Sequence, residues 1–137
     1  MAVLLAFIFS KAIFSTYELE QVMTSSGNIY LLQYGSYINK DVMEENIKRL
    51  DNYLIYHHED KYYVHLGAYT NIDTAKKMQK YFESKNIFTY IKNDYISNME
   101  IIDKITDIDE MILEEHDLNK NLDYNKKILE ILKSIVS

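Results

Sequence analysis

A weak internal repeat constrains the fold of this chain more than any other feature. Residues 30–37 read YLLQYGSY, and residues 62–69 read YYVHLGAY. Both segments are rich in residues that favour strands, and both end in glycine, a small residue and tyrosine. An asparagine suited to capping a helix follows each segment, at Asn39 and Asn71. We therefore expect each half to begin with a strand that leads into a helix.

The residues after each asparagine have helical periodicity, with apolar side chains on one face and charged side chains on the other. The apolar positions are Met43, Ile47 and Leu50 in the first segment and Ile72, Ala75, Met78 and Phe82 in the second. A β-prone run follows each helix, at 53–57 and 87–92, and the polar stretch 58–61 is short enough for a hairpin. Asn86 suits the left-handed conformation at the end of the second helix.

The order of elements is β-α-β-β-α-β, the split βαβ arrangement of ferredoxin- and RNP-like folds. We predict an α+β fold with a four-stranded antiparallel sheet and two helices on one face. Strand periodicity places Leu31, Gln33, Tyr63 and His65 on the opposite face, which we expect to be exposed. The alternative is that these residues border the core or an extra helix.

The C-terminal third has the periodicity of a helical hairpin. Two apolar stripes, separated by a polar turn at 117–123, consist of Ile101, Ile105, Ile108 and Ile112, and of Tyr124, Ile128, Leu132 and Ile135. The acidic residues beside the first stripe, Asp107 and Asp109 among them, are expected to be solvated. The hairpin either packs on the domain or on itself, or offers a surface for a partner or for self-association.

The N-terminal segment is apolar but short. Residues 2–9 are uninterrupted apolar, and Lys11 interrupts the run, whereas a bilayer span needs roughly 20 residues. We interpret residues 1–16 as a membrane anchor; a signal-peptide core and an apolar helix buried in the domain remain open. Residues 17–27 would be a linker, 28–96 the sheet domain and 97–137 the hairpin. Glu18 and Glu20 follow the segment, which favours an extracytoplasmic location for the rest of the chain.

Two motifs of the repeat resemble those of the SPOR family, the peptidoglycan-binding domains of cell division and sporulation. The halves of that family begin with motifs similar to Val-Gln-Val-Gly-Ser-Phe and Tyr-Arg-Val-x-Val-Gly-Pro-Phe. Here residues 32–37 read LQYGSY and residues 63–69 read YVHLGAY, each followed by a predicted helix. The resemblance covers about half of the chain. Tyr63 stands where the family often has arginine, and Ala68 where proline is common.

The resemblance implies a non-catalytic domain that binds glycan strands stripped of their stem peptides across the open sheet face. Such binding would gather a single-pass membrane protein, or a secreted one, at septa and other sites of bacterial cell-wall remodelling. Gln33 matches the family's glutamine and Ser36 its serine, so both are expected to contact the glycan. Tyr63, His65 and Leu31 are added because they share that face.

Composition and motifs argue against several other functions. The net charge of −6 disfavours an RNA-binding domain of the same topology, because nucleic-acid binding usually requires excess Lys and Arg. The chain has no cysteine, and His57 and His58 would point to opposite faces of a strand, so no metal, cofactor or catalytic residue is predicted. The alternative function is an interaction protein with a SPOR-like fold that has lost glycan binding and uses its C-terminal helices to bind a protein partner.

Overall fold

The computed structural model describes residues 27–136, in which the chain forms one four-stranded sheet and four α-helices. The strands are β1 (Asn28–Tyr37), β2 (Leu54–His58), β3 (Lys61–Tyr69) and β4 (Tyr90–Tyr95). The helices are α1 (Lys40–Asn46), extended by a 3-10 turn at Ile47–Arg49, α2 (Ile72–Ser84), α3 (Met99–Glu114) and α4 (Leu118–Val136). All pairings are antiparallel, in the order β2-β3-β1-β4. The predicted split βαβ fold with a C-terminal helical hairpin is confirmed.

The strand register assigns the two faces of the sheet. Gln33 lies opposite His65 of β3 and Tyr90 of β4. The pairing of β1 with β3 shifts register on either side of Gln33. The helix-covered face carries Leu32, Val64 and Leu66, all fully buried. This assignment of the two faces agrees with the one predicted from strand periodicity.

The predicted asparagine caps are present at both helices of the repeat. The side-chain oxygen of Asn39 accepts from the Val42 N–H, and that of Asn71 accepts from the Asp73 N–H. Asn86 has a φ of 61° after α2, as predicted. The Asn86 and Ile87 N–H groups donate to the carbonyls of Glu83 and Phe82, which forms a Schellman motif.

The Schellman motif explains why the last strand begins later than predicted. Ile87 turns back on the end of α2, so it is not free to extend along β1. β4 therefore starts at Tyr90 and continues to Tyr95, whereas the β-prone run had predicted a strand over 87–92. The polar turn predicted at 117–123 is also shorter, since α4 already begins at Leu118.

The helical hairpin completes the layer on the helix-covered face. With 7 residues, α1 is only about 10 Å long and cannot cover the sheet. α3 packs on α2 and β3, and α4 packs on β3 and β2. Buried residues of the hairpin, such as Ile105, Ile112 and Ile128, belong to the same hydrophobic cluster as the sheet. The hairpin thus packs on the domain, which is the first of the two interpretations left open.

Asn125 of α4 covers the part of β3 that β2 leaves unpaired. Among the described strands, β2 reaches only as far as His65. Beyond that point the Asn125 amide donates to the Leu66 carbonyl at 2.8 Å and accepts from the Tyr69 hydroxyl. A Cβ atom at Gly67 would lie 2.9 Å from the Asn125 Oδ1, so the glycine permits this close approach of helix and strand.

Asp109 does not lie in solvent, and the prediction that it would is wrong. It is 1% exposed and accepts from the backbone N–H groups of Thr70 and Asn71 at 2.7 and 2.9 Å, and from the Thr74 hydroxyl. The first N–H groups of a helix have no partner within the helix and favour negative charge. Docking of α3 therefore brings this carboxylate to the start of α2.

The predicted anchor at residues 1–16 lies outside the described residues, as does the linker before Gly27. Across residues 27–136, none of the helices combines the length and the apolar character needed to cross a bilayer.

Candidate ligand-binding face of the sheet

The face of the sheet opposite α1 and α2 is rich in tyrosine, and we call it the tyrosine face. It carries the five residues predicted to contact glycan together with side chains from both edge strands. Its members include Leu31, Gln33, Ser36, Tyr56, His58, Lys61, Tyr63, His65, Tyr90, Lys92 and Asp94. Ser36 lies directly opposite Tyr63, and Tyr63 opposite Tyr56, so these three form one row across three strands.

Gln33 is the centre of a hydrogen-bonded chain that crosses three strands. Its Nε2 donates to the Tyr90 hydroxyl at 2.7 Å, and its Oε1 lies 3.3 Å from the His65 Nε2. An amide oxygen can only accept, so the His65 Nε2 carries the proton in this arrangement. Burial, and to a smaller extent the positive charge of Lys92, lower the pKa of His65 to about 3. His65 is therefore a neutral donor at physiological pH.

The central residues of the tyrosine face are buried, and the prediction that this face is exposed is wrong for them. Gln33 is 2%, His65 4% and Leu31 9% exposed. They lie on β1 and β3, the two inner strands of the sheet. Of the other predicted contacts, Ser36 is exposed and Tyr63 half-buried.

Lys92 contributes to that burial. Its Nζ lies 5.1 Å from the centroid of the Tyr63 ring. Lys92 is on β4 and Tyr63 on β3, with β1 between them, so the contact spans two strand spacings of about 4.8 Å each. The lysine stem therefore crosses the inner strand near Gln33 and ends in a cation–π contact.

Asp94 gives the tyrosine face a carboxyl that titrates near neutrality. Burial raises its pKa to about 6, against the Tyr95 N–H and Lys92, which both lower it. Burial also raises the pKa of the Tyr56 hydroxyl well above its ordinary value, and negative charge on Asp94 adds to the rise. The face thus carries the ammonium groups of Lys61 and Lys92 together with the carboxyl of Asp94.

Aromatic rings supply the accessible part of the tyrosine face. The Tyr56 and Tyr63 centroids are 6.2 Å apart, and Tyr56 also stacks on His58 at 5.9 Å. Tyr90 is 54% exposed, with its hydroxyl held by Gln33. Such rings can pack against the apolar face of a ligand and present their hydroxyl groups at its edge.

Sequence reasoning missed Tyr56, Tyr90 and Lys92. All three lie in the predicted β-prone runs, and the alternation of side chains along those runs was the available signal. Which of their two faces joins Gln33 depends on the pairing of β2 and β4, which local periodicity does not determine.

Metal binding finds no support in residues 27–136, where no three or more histidine, aspartate or glutamate side chains are grouped to hold an ion. His57 stacks on Tyr62 at 4.2 Å, and His58 stacks on Tyr56. The two imidazoles therefore lie on opposite faces of β2.

No protein-family model matches the chain, and no curated protein or solved structure matches it.

Proposed function

We propose that this chain is a non-catalytic protein that binds peptidoglycan glycan strands, stripped of their stem peptides, on the tyrosine face. Binding would place it at septa or other sites of cell-wall remodelling, with residues 1–16 as its membrane anchor. The observation that supports this most directly is that Tyr56, Tyr63 and Tyr90 come from three different strands and present partly accessible rings on one face. Sugar rings offer apolar C–H faces for such rings, and hydroxyl and N-acetyl groups for their hydroxyls.

The burial of the inner residues divides their roles in this proposal. Ser36, Tyr63 and Tyr90 would touch the glycan, because they are at least partly accessible. Gln33 would act as a positioning residue, since its amide holds the Tyr90 hydroxyl while His65 holds the amide. Leu31 and His65 are buried, so they would stabilise the positions of the accessible side chains without touching the glycan.

The charge of the tyrosine face also favours a sugar ligand over nucleic acid. The face carries only two cations, Lys61 and Lys92, beside the carboxyl of Asp94, and the whole chain has a net charge of −6. Neutralising a phosphate backbone requires several cations, whereas sugar rings bind through stacking and hydrogen bonds.

The test is sedimentation of the full chain with purified sacculi, before and after an amidase removes the stem peptides. Tyr63→Leu is compared with Tyr62→Leu, because these adjacent tyrosines are both half-buried on β3 and face opposite sides of the sheet. Loss of one stacking ring should weaken binding of Tyr63→Leu about tenfold, on the order of 1–1.5 kcal/mol. Tyr62→Leu should bind like the wild-type protein.

Absence of sedimentation with either preparation, or equal weakening by both variants, would contradict glycan binding on this face. Circular dichroism of each variant before the assay ensures that only folded protein is compared.

A second candidate, a protein-interaction module that does not bind glycan, is favoured by two observations. Gln33 and His65 are buried, and the tip of the helical hairpin exposes Met111, Leu113 and Leu118. Under this alternative, Leu118→Ser should abolish partner binding or self-association, measured by light scattering, while Tyr63→Leu leaves it unchanged.

A further inference from the structure

A cavity of about 690 Å³ lies on the helix-covered side of the sheet, away from the tyrosine face. Three parts of the chain enclose it: the segment after α1, the end of α2 and the first turns of α4. Its lining includes Arg49, Leu50, Leu66, Phe82, Lys85 and Leu122. Its volume falls within the roughly 300–1,000 Å³ typical of small-molecule sites.

The walls of the cavity suit an apolar or aromatic body. Leu66 and Leu50 are buried core residues that border the space, and Phe82 and Leu122 are half-buried beside it. Tyr81 meets Phe82 edge-on, with centroids 5.3 Å apart. A flat ligand could therefore slide between α2 and α4 and contact carbon atoms on both sides.

Two cations border the same space. Arg49 is the single arginine of the chain, and its guanidinium donates one hydrogen bond to the Asn86 carbonyl, which fixes the group beside the cavity. The Lys85 Nζ lies 5.9 Å from the Tyr81 ring centroid. Among the described lining residues Asp51 is the one carboxylate, so the positive charges outnumber the negative.

The end of α2 offsets only part of this positive charge. The last carbonyls of a helix carry partial negative charge when they have no partner. Here the Phe82 and Glu83 carbonyls accept from Ile87 and Asn86, and the Asn86 carbonyl accepts from Arg49. The remaining guanidinium donors of Arg49 are available for a planar anionic group.

We propose that this cavity binds a small amphipathic anion. The apolar body lies against Phe82 and Leu122, and the carboxylate, sulfonate or phosphate group pairs with Arg49 and Lys85. This site is independent of glycan binding, because it lies on the other face of the sheet.

The test uses 1-anilinonaphthalene-8-sulfonate and N-phenyl-1-naphthylamine, two probes with the same rings that differ in the anionic group. The chain has no tryptophan, so Phe82→Trp places a unique tryptophan in the cavity wall; when it is excited selectively, energy transfer from it reports probe bound to the protein, and the charge variants below locate that probe. We expect saturable transfer to the sulfonate. In that background Lys85→Gln, and separately Arg49→Gln, should weaken its binding about three- to tenfold and change binding of the uncharged probe less than twofold.

Lys76→Gln is the matched control, since Lys76 is an exposed lysine on α2 that does not line the cavity, and it should change neither affinity. Lys85 is exposed, so its variant tests the proposal even if Arg49→Gln fails to fold. Absence of energy transfer in both Phe82→Trp and Leu122→Trp proteins, or equal weakening of the two probes by Lys85→Gln, would overturn the proposal.

Discussion

At the scale of single residues, His65 makes stability depend on pH. Its pKa is about 3 in the folded protein, against 6.5 ordinarily, because burial and then Lys92 disfavour the charged form. Between these values the unfolded chain binds a proton that the folded chain does not. The contribution of His65 to the free energy of unfolding is therefore complete above pH 6.5. It is lost as the pH falls towards 3, at about 1.4 kcal/mol per pH unit. Urea unfolding across this window should show a smaller slope for His65→Gln than for the wild-type protein.

Asp94 opposes this dependence over part of the same window. Burial raises its pKa from 3.8 to about 6, so the folded chain retains a proton that the unfolded chain releases, and stability falls as the pH rises between these values. The effect of His65 is clearest in an Asp94→Asn background. If His65→Gln leaves the slope of that background unchanged, the assignment to His65 is wrong.

Whether the role of a residue could be predicted from the sequence depends on how far along the chain its partners lie. Asn39, Asn71 and Asn86 could be predicted from the sequence, because each acts on backbone groups within three residues or through its own φ angle. The hydrogen bonds of Gln33 could not, because they join it to His65 of β3 and Tyr90 of β4, which are 32 and 57 residues away in the sequence.

At the scale of elements, the sequence pattern predicted the strands and helices, and local hydrogen bonds at helix ends decided where two of them start. Ile87 closes the end of α2 and so delays β4, although its sequence is β-prone. α4 begins at Leu118, where Asp117 accepts from the Asn119 N–H. That polar segment resembles a turn when composition alone is considered.

Asp109 connects two elements that are distant in sequence, and its replacement should be costly. Asp109→Asn keeps the shape of the side chain but replaces one acceptor oxygen by a donor, which leaves N–H or hydroxyl groups at the start of α2 without a partner. We expect a loss of about 2–3 kcal/mol in the free energy of unfolding, measured with urea. Asp107→Asn is the control, because Asp107 is exposed on the same helix; it should change stability by less than about 0.5 kcal/mol. An equal loss in the free energy of unfolding for the two variants would show that the buried hydrogen bonds of Asp109 do not stabilise the fold.

At the scale of the whole molecule, the fold class could be predicted because the repeat, the caps and the hairpin periodicity all agree. The docking of the hairpin could not, since two amphipathic helices pack equally well on a domain, on each other or on a partner. The short α1, the open end of β3 beside Asn125 and the burial of Asp109 together determine the outcome.

Because the hairpin and the sheet share one hydrophobic cluster, we expect them to unfold together. Ile128 is fully buried on α4, and Ile128→Val should cost about 1 kcal/mol through the lost methylene.

In native-state hydrogen exchange, slow amides that open only by global unfolding should then exchange about fivefold faster in β1 and β3 as well as in α4. Leu118→Ala, on the same helix at an exposed position, should change none of these rates. Faster exchange confined to α3 and α4 would instead identify the hairpin as a separately unfolding unit, with Asn125 and Asp109 as contacts that open before the sheet does.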